Sequence, residues 1–286
     1  MTNNHKSTVR NVTVLDRQEL GADTQVDRKA VLLAPGPTVV TDPFLALAED
    51  WFGEAGFDWH PHRGIETITF VVEGEFEYRD NAGRKSALGP NDVQWLTAGK
   101  GIIHREVAAG RRFARIVQLW LNLPAHAKMT PHSCQDLLAA EMPVGRGPGV
   151  EVRVYSGASH GAVGPARNLV ATTFFDAAIA PGGAFAHPVP TDEWGVAYVL
   201  TGAGSFGQGK RATAGQIVHL SAAGDAGESL LVATAGEAGL RFLFWSARPL
   251  REPIVARGPF VMNTEAEIRQ AWADYHAGRF GSVPRV

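Results

Sequence analysis

Two pairs of side chains in this sequence combine metal-binding chemistry with the spacing i, i+2. The first pair is His60 with His62, just before a strand-like run, and the second is His104 with Glu106. Side chains alternate between the two faces of a β-strand, so both members of each pair are expected on one face. If both segments line one barrel, the four side chains converge on its interior.

Three imidazoles and one carboxylate suit Fe, Mn, Ni, Cu or Zn, and they leave coordination positions for water, oxygen or substrate. A structural zinc site would normally be closed by four thiolate or imidazole ligands, so this set is catalytic in type. The alternative is that these are surface or hydrogen-bonded histidines, because the chain has 10 histidines and one His-x-His pair can arise by chance.

The composition describes a folded protein of about two domains. The chain has 286 residues, and domains average roughly 150 residues. Hydrophobic residues make up 45% and charged residues 20%, which excludes disorder for most of the chain. The formal net charge of −2 offers no general attraction to phosphate polyanions or anionic membranes. We therefore expect neither direct nucleic-acid binding nor membrane binding.

The cysteine content and the N-terminus favour a cytoplasmic protein. Cys134 is the only cysteine, so no disulfide within the chain calls for an oxidising compartment. The segment 1–10 is polar and lacks the apolar stretch of a signal peptide, and no run approaches the roughly 20 apolar residues of a spanning helix. A soluble protein in a reducing cytoplasm is the expectation.

Glycine and proline punctuate the chain in the way expected of an all-β fold. The 32 glycines and 17 prolines separate short runs rich in Val, Ile, Phe, Leu and Thr. The segment 80–83 has the Asp, Asn and Gly chemistry of a hairpin turn. Near the C-terminus, Thr264 and Glu267 form a capping box and Gly278 is placed to end a short helix.

A self-comparison indicates two copies of one unit. The segment 71–76 resembles 199–204, and 89–96 resembles 213–220. The two offsets, 128 and 124 residues, differ only by a small deletion. Duplication of a barrel is the simplest interpretation.

The segment 143–149 has the composition of a domain boundary, with two prolines and three glycines. The sequence therefore predicts an N-terminal metal-binding domain over 1–142 and a C-terminal domain over 143–286 that carries the helix.

Several longer motifs of the sequence resemble those of the pirin family. The resemblance rests first on HPHRGIET at 60–67, EGE at 73–75 and GPNDVQWLTAGKGIIHRE at 89–106. It continues through DPFL at 42–45, QLWLNLP at 118–124, GPFVMNT at 258–264 and GRF at 278–280. These segments span nearly the whole chain.

The resemblance implies a bicupin, an all-β protein of two tandem cupin-type β-barrels, with a single non-haem metal in the N-terminal barrel. Matched residue by residue, His60, His62, His104 and Glu106 fall on the family's metal ligands. One divalent transition metal is expected, Fe(II) first, with Ni, Mn, Cu, Zn and Co as alternatives. In the second copy only His187 matches a ligand position, so the C-terminal barrel is expected to be metal-free.

The resemblance also implies function. The first hypothesis is a dioxygenase that cleaves flavonols such as quercetin with O₂, with Glu106 as general base. The alternative is a non-enzymatic, iron-dependent regulator that binds a protein partner differently in its ferrous and ferric states. A third hypothesis is that the metal turns over a different small molecule.

Arg63 and Glu66, which flank the histidine pair, are candidates for orienting the imidazoles.

Overall fold

The computed structural model describes residues 8–22, 25–33, 41–53, 56–221 and 227–283. Within these ranges the chain forms 25 β-strands and one α-helix, together with three short 3₁₀ turns. The predicted all-β class with one C-terminal helix is therefore confirmed. Residues 1–7 of the polar N-terminal segment lie outside the described ranges. None of the helices in the described ranges is long and apolar enough to cross a membrane.

The elements, in chain order, are β1 (Thr8–Val9), β2 (Thr13–Asp16), β3 (Gln18–Gly21), β4 (Arg28–Leu33), β5 (Phe44–Phe52), β6 (Gly56–His62), β7 (Ile65–Gly74), β8 (Phe76–Asp80), β9 (Lys85–Leu88), β10 (Val93–Thr97), β11 (Ile102–Ala108), β12 (Ala114–Asn122), β13 (Ser133–Leu137), β14 (Val144–Gly147), β15 (Val150–Ser156), β16 (Ala158–Ser159), β17 (Ala162–Val163), β18 (Thr172–Ile179), β19 (Ala184–Pro190), β20 (Trp194–Phe206), β21 (Lys210–Thr213), β22 (Gln216–Leu220), β23 (Glu228–Ala247), β24 (Val255–Arg257), β25 (Phe260–Met262) and α1 (Glu265–His276).

The chain divides into two compact units. The first unit comprises Gln18–Glu141 and Leu250–Val286, and the second comprises Met1–Arg17 and Met142–Pro249. Each unit is therefore built from two separate stretches of chain. The division of the chain into domains over 1–142 and 143–286 remains a prediction.

The first unit contains two antiparallel sheets that carry the residues of interest. One sheet has the strand order β13-β10-β7-β12-β5-β4-β3, and the other has the order β6-β11-β8-β9. Strand β7 is buried from Ile65 through Val71, polar side chains included, as expected for a strand covered on both faces. A cluster that includes Phe52, Phe76 and Tyr78 forms the core of this unit. The predicted turn at 80–83 joins β8 to β9.

The second unit repeats local geometry of the first, which supports the internal duplication. Gly74 and Gly202 have φ angles of 78° and 76°, a left-handed region that favours glycine. A Cβ at either position would lie 2.1 Å from a carbonyl oxygen of the neighbouring segment. The turns after them also match, since Asn91 N donates to Val71 O at 2.7 Å and Gly215 N donates to Val199 O at 2.9 Å.

Helix α1 has the predicted caps. The Thr264 side chain accepts from the backbone N–H of Glu267, and Gly278 follows the helix with φ of 71°. Ile268 and Ala271 face inward and pack in a cluster with Phe260 of β25. This packing fixes the C-terminal segment, which includes β24, β25 and α1, within the first unit.

Candidate metal centre

Two neighbouring strands, β6 and β11, hold the three histidines against one another. His60 lies directly opposite His104 in this antiparallel pair, and Ile102 lies opposite His62. Residues on one face of neighbouring strands have Cβ atoms about 5 Å apart, so this register brings the imidazoles together. The ring centroids of His60 and His104 are 4.2 Å apart, and those of His62 and His104 are 5.0 Å apart.

A β-bulge separates His104 from Glu106 in the pairing with β6. Glu106 lies opposite Phe57, whereas a regular register would place it opposite Asp58. On β11 itself the i, i+2 spacing keeps His104 and Glu106 on one face, while Arg105 contacts Asp58 at 3.3 Å. The bulge therefore changes the partner of Glu106 without moving its side chain to the other face.

The geometry brings the four residues of the sequence prediction together at one place. One nitrogen each of His60, His62 and His104 can be chosen so that the three atoms lie within 4.8 Å of one another. Glu106 Oε2 lies 3.9 Å from His60 Nε2. Three imidazole nitrogens at this separation could hold a metal ion.

Backbone carbonyls fix the tautomers of two histidines. His60 Nδ1 lies 2.7 Å from Asp58 O, and His62 Nδ1 lies 3.2 Å from Pro259 O. A carbonyl oxygen only accepts, so in both rings Nδ1 is the protonated nitrogen and donates. Nε2 is then the lone-pair nitrogen, as a metal ligand requires.

Burial keeps all three imidazoles neutral. His62 is 2% exposed and His104 is fully buried. Burial, reinforced by the neighbouring His60, lowers the pKa of His62 to about 3 and lowers that of His104 well below its usual value. Burial also lowers the pKa of His60. Neutral imidazole is the form that binds metals.

Several buried polar atoms of the site have no hydrogen-bond partner within the described ranges, as expected if they bind a metal. Both ring nitrogens of His104 and Oε2 of Glu106 are buried and have no hydrogen-bond partner among the described residues. Such atoms are rare in folded proteins because each costs about 1–3 kcal/mol. A cation bound between them would satisfy one His104 nitrogen and the free carboxylate oxygen together.

The Glu106 carboxyl group is the acidic member of the site. It is 1% exposed, and burial raises its pKa to about 8, although the hydrogen bond from Gln118 and the charge of Lys29 act in the opposite direction. Gln118 Nε2 donates to Glu106 Oε1 at 3.0 Å. The carboxyl group therefore has one occupied oxygen and one free oxygen.

The C-terminal segment supplies the carbonyl that holds His62. Its strand β25 comes close to the backbone at Gly64, where a Cβ would lie 1.9 Å from Val261 O. Val261 N donates to Arg63 O at 3.1 Å. The buried Lys128 donates to both Gly64 O and Val261 O at 3.0 Å. Pro259, two residues before Val261, is thereby held beside His62.

The two side chains suggested from sequence as orienting partners make other contacts. Arg63 donates to Asp274 Oδ2 at 2.8 Å and to Lys100 O at 2.7 Å. Glu66 accepts from Thr97 at 2.7 Å. The groups that do bind the imidazoles are the carbonyls of Asp58 and Pro259, which carry no side-chain signature in the sequence.

A cavity of about 500 Å³ opens beside the site. His60, His62 and Glu106 lie in its wall. Most of the remaining wall is apolar or aromatic, and one ion pair, Lys29 Nζ to Asp50 Oδ1 at 2.9 Å, also faces it. The apolar and aromatic lining residues are Val31, Leu33, Ala46, Leu47, Ala48, Phe57, Trp120 and Pro259.

In the second unit the corresponding histidine has a different environment. His187 Nδ1 lies 3.1 Å from Ser159 Oγ, and its ring packs on Phe175 at 4.9 Å. His219 stacks on Trp194 at 5.0 Å. Residues 222–226 of this unit lie outside the described ranges.

Comparison with known proteins places both parts of the chain in one group. The Pirin family model matches residues 36–121, and the model of the Pirin C-terminal cupin domain matches residues 174–281. The chain is 39% identical to the pirin-like protein of Solanum lycopersicum over 241 residues, which cover 84% of this chain and 82% of that protein. It is 34% identical to pirin of Homo sapiens over 242 residues, which cover 84% of this chain and 83% of that protein.

The fold also matches a solved structure of cupin type. The crystal structure of quercetin 2,3-dioxygenase from Acinetobacter baumannii superposes with a TM-score of 0.83 at 30% sequence identity. The superposition covers 97% of this chain and 99% of that chain.

Proposed function

The chain belongs to the pirin family, and from this premise we propose that it is a metal-dependent dioxygenase that cleaves flavonols such as quercetin with O₂. The observation that carries the proposal is the convergence of three neutral imidazoles and Glu106 on the wall of an apolar cavity. The likeness to the Acinetobacter baumannii quercetin 2,3-dioxygenase supports the same reaction class.

The residues that would hold the metal are His60, His62, His104 and Glu106. The set of imidazoles with one carboxylate suits first-row transition metals, and we propose Fe(II), with Ni, Mn, Cu, Zn and Co as alternatives. When bound, a redox-active metal supplies the chemistry by which a flavonol and O₂ can react. The hydrogen bonds from His60 and His62 to backbone carbonyls would keep two of the ligands in the correct tautomer.

Glu106 is the candidate general base. A flavonol must lose the proton of its 3-hydroxyl group to become a strong ligand and nucleophile. Glu106 Oε2 is the oxygen of the buried carboxyl group that has no hydrogen-bond partner among the described residues, so it is the atom that can accept this proton. Oε2 would exchange between ligating the metal and holding the hydroxyl proton.

The cavity walls suit a flat aromatic substrate. The small residues Ala46 and Ala48 leave room along β5, and the indole of Trp120 packs edge-on against His62 at 4.9 Å. Apolar walls with a few polar groups are typical of small-molecule sites. They would also exclude water from the substrate during the reaction.

The direct test is coupled consumption of O₂ and quercetin. The protein is loaded with Fe(II) under anaerobic conditions, and O₂ uptake and quercetin absorbance are followed together. We expect both to fall in a one-to-one ratio, with activity lost in a His60→Ala, His62→Ala double variant. Turnover no greater than that of the double variant would contradict the enzyme and favour the regulator hypothesis.

Metal identity needs its own measurement. Affinity alone favours copper or zinc over iron, because nitrogen and oxygen sites follow the Irving–Williams order. Elemental analysis of protein purified without a His tag is expected to give one metal per chain, with iron predominant. Zinc or copper at full occupancy, with no iron, would contradict the proposal of Fe(II).

A further inference from the structure

Gln118, on β12, connects the carboxylate of the candidate site to the wall of the cavity. It is 8% exposed, and its Nε2 donates to Glu106 Oε1 and to Thr69 Oγ1, both at 3.0 Å. Its Oε1 accepts from the indole N–H of Trp120 at 3.1 Å. Both N–H bonds and the oxygen of this amide therefore have partners.

The orientation of the amide follows from these partners. An indole nitrogen only donates, so the amide oxygen must face Trp120. The amide nitrogen then faces Glu106, where it can donate to a carboxylate. The opposite orientation would place two acceptor oxygens together at Glu106 and two donors together at Trp120. Trp120 thus selects the orientation in which Gln118 stabilises the ionised form of Glu106.

The hydrogen bond from Gln118 makes the two oxygens of Glu106 different. Oε1 is occupied by Gln118, whereas Oε2 is buried, has no hydrogen-bond partner among the described residues and lies 3.9 Å from His60 Nε2. A carboxylate oxygen has two lone-pair sites, so Oε1 could bind a metal only through the site that the hydrogen bond leaves, whereas no described residue occupies either site of Oε2. Binding through Oε2 alone leaves the hydrogen bond from Gln118 undisturbed.

We propose that Gln118 is a positioning residue that presents only Oε2 of Glu106 to the metal. Trp120, in turn, fixes the orientation of the Gln118 amide. This inference rests on the metal site of the proposed function. Its consequence for the reaction is that a carboxylate binding through one oxygen leaves one more coordination position for substrate than a carboxylate binding through two. Gln118 acts through Glu106 and not on the substrate itself.

The test compares two buried glutamines of the same sheet with Co²⁺ as the probe. Gln118→Met keeps the length of the side chain and removes the donor. Gln94→Met is the matched control, because Gln94 on β10 is 1% exposed and its Nε2 contacts Ser86, not Glu106. Co²⁺ affinity is measured by competition with a chelator, and the coordination of Co²⁺ by its visible absorption spectrum.

We expect Gln118→Met to lower the Co²⁺ affinity about 10- to 100-fold and to change the Co²⁺ spectrum. Gln94→Met should leave both within about two-fold of wild type, although it lowers the melting temperature. Trp120→Phe removes the indole N–H together with part of the ring, and it should give a smaller change in the same direction as Gln118→Met. It tests the same link if Gln118→Met does not fold.

The inference is overturned if folded Gln118→Met has the wild-type affinity and spectrum, or if Gln94→Met alters them equally. These results differ from a failure of the proposed function. If wild-type protein does not bind Co²⁺ at all, the metal site and the inference fail together. If wild type binds Co²⁺ but the iron-loaded protein does not cleave quercetin, only the proposed activity fails, since affinity and spectrum do not depend on turnover.

Discussion

His60 lies directly opposite His104 across the antiparallel pair of β6 and β11, with ring centroids 4.2 Å apart. A half-buried and a fully buried imidazole so close together gain little from each other, since burial lowers the pKa of both rings and His104 has no hydrogen-bond partner among the described residues. The unpartnered nitrogens lower the free energy of unfolding, and a metal bound to them would restore it. Variants at and around these positions can separate the effect of each residue on the free energy of unfolding from its effect on metal or substrate binding.

His104→Leu should abolish stabilisation by metal without destabilising the metal-free protein. The variant removes two buried unpartnered nitrogens, each of which costs about 1–3 kcal/mol. In chelator, urea unfolding should give a free energy equal to or above that of wild type. With Co²⁺ at about 1,000 times its Kd, wild type should gain about 4 kcal/mol and the variant almost nothing.

His187→Leu is the matched control for this prediction, because His187 is buried in the second unit and bonds to Ser159. It should lose stability in chelator and keep the full gain with Co²⁺. If Co²⁺ raises the free energy of unfolding of His104→Leu as much as that of wild type, His104 is not a metal ligand.

Gly64→Ala should break the approach of the C-terminal segment to the site. Gly64 has φ of 80°, and a Cβ there would lie 1.9 Å from Val261 O, a backbone atom that cannot move without displacing β25. We expect a loss of more than about 3 kcal/mol in the free energy of unfolding. Because β25 also positions Pro259, Co²⁺ affinity should fall as well.

Gly83→Ala is its control. Gly83 also has positive φ, at 93°, but a Cβ there would meet nothing within 4 Å. Strain of the backbone alone should cost about 1–2 kcal/mol, with no change in Co²⁺ affinity. Equal losses in the two variants would show that the contact with Val261 contributes nothing.

Lys128 should make stability depend on pH in alkaline solution. It is 1% exposed, and burial lowers its pKa to about 8 from an ordinary value of 10.5. Between pH 8 and 10.5 the unfolded chain binds a proton that the folded chain has released. The free energy of unfolding should therefore rise with pH across this window, by about 3 kcal/mol from this group.

Lys128→Met should lack this rise, so the stability of wild type relative to the variant should increase from pH 8 to 10.5. The exposed Lys210, replaced by Met, serves as control and should leave the pH profile unchanged. Urea unfolding at several pH values measures all three proteins. Parallel profiles for wild type and Lys128→Met would show that the buried ammonium keeps its ordinary pKa.

Lys29→Met should weaken substrate binding without affecting the metal. Lys29 faces the cavity and pairs with Asp50, and its ammonium has N–H bonds that can point toward a hydroxyl or phenolate oxygen. A charge-assisted hydrogen bond is worth about 1.5–3 kcal/mol, so KM for quercetin should rise about 10-fold or more. The iron content of protein loaded with excess Fe(II) should stay within two-fold of wild type.

Lys85→Met controls for the loss of a surface charge, since Lys85 lies on β9, is 58% exposed and pairs with Glu77. Its KM should not change. A fall in iron content in Lys29→Met, rather than a rise in KM, would place Lys29 with the metal site and not with the substrate.

Local patterns predicted the parts of the site that depend on a single strand. Alternation along a strand is a local property, so the i, i+2 pairs His60/His62 and His104/Glu106 could be assigned to common faces from sequence alone. The caps of α1 are local in the same sense, because Thr264 and Glu267 meet within one helical turn.

The rest of the site depends on pairing between distant segments. Pro259 meets His62 across 197 positions of sequence, and the contact is made by a carbonyl that every residue type possesses. Gln118 and Glu106 meet across two different sheets, since β12 pairs with β5 and β7 whereas β11 pairs with β6 and β8. Arg63 had the chemistry of an orienting partner, but Asp274, which α1 brings to it, is its partner.

Anomalous diffraction from crystals of the protein loaded anaerobically with Fe(II) tests the metal centre most directly. Data collected on both sides of the iron absorption edge should give one peak per chain in the first unit, bordered by His60, His62, His104 and Oε2 of Glu106. A peak at any other position, or none in crystals whose iron content is one per chain, would contradict the account.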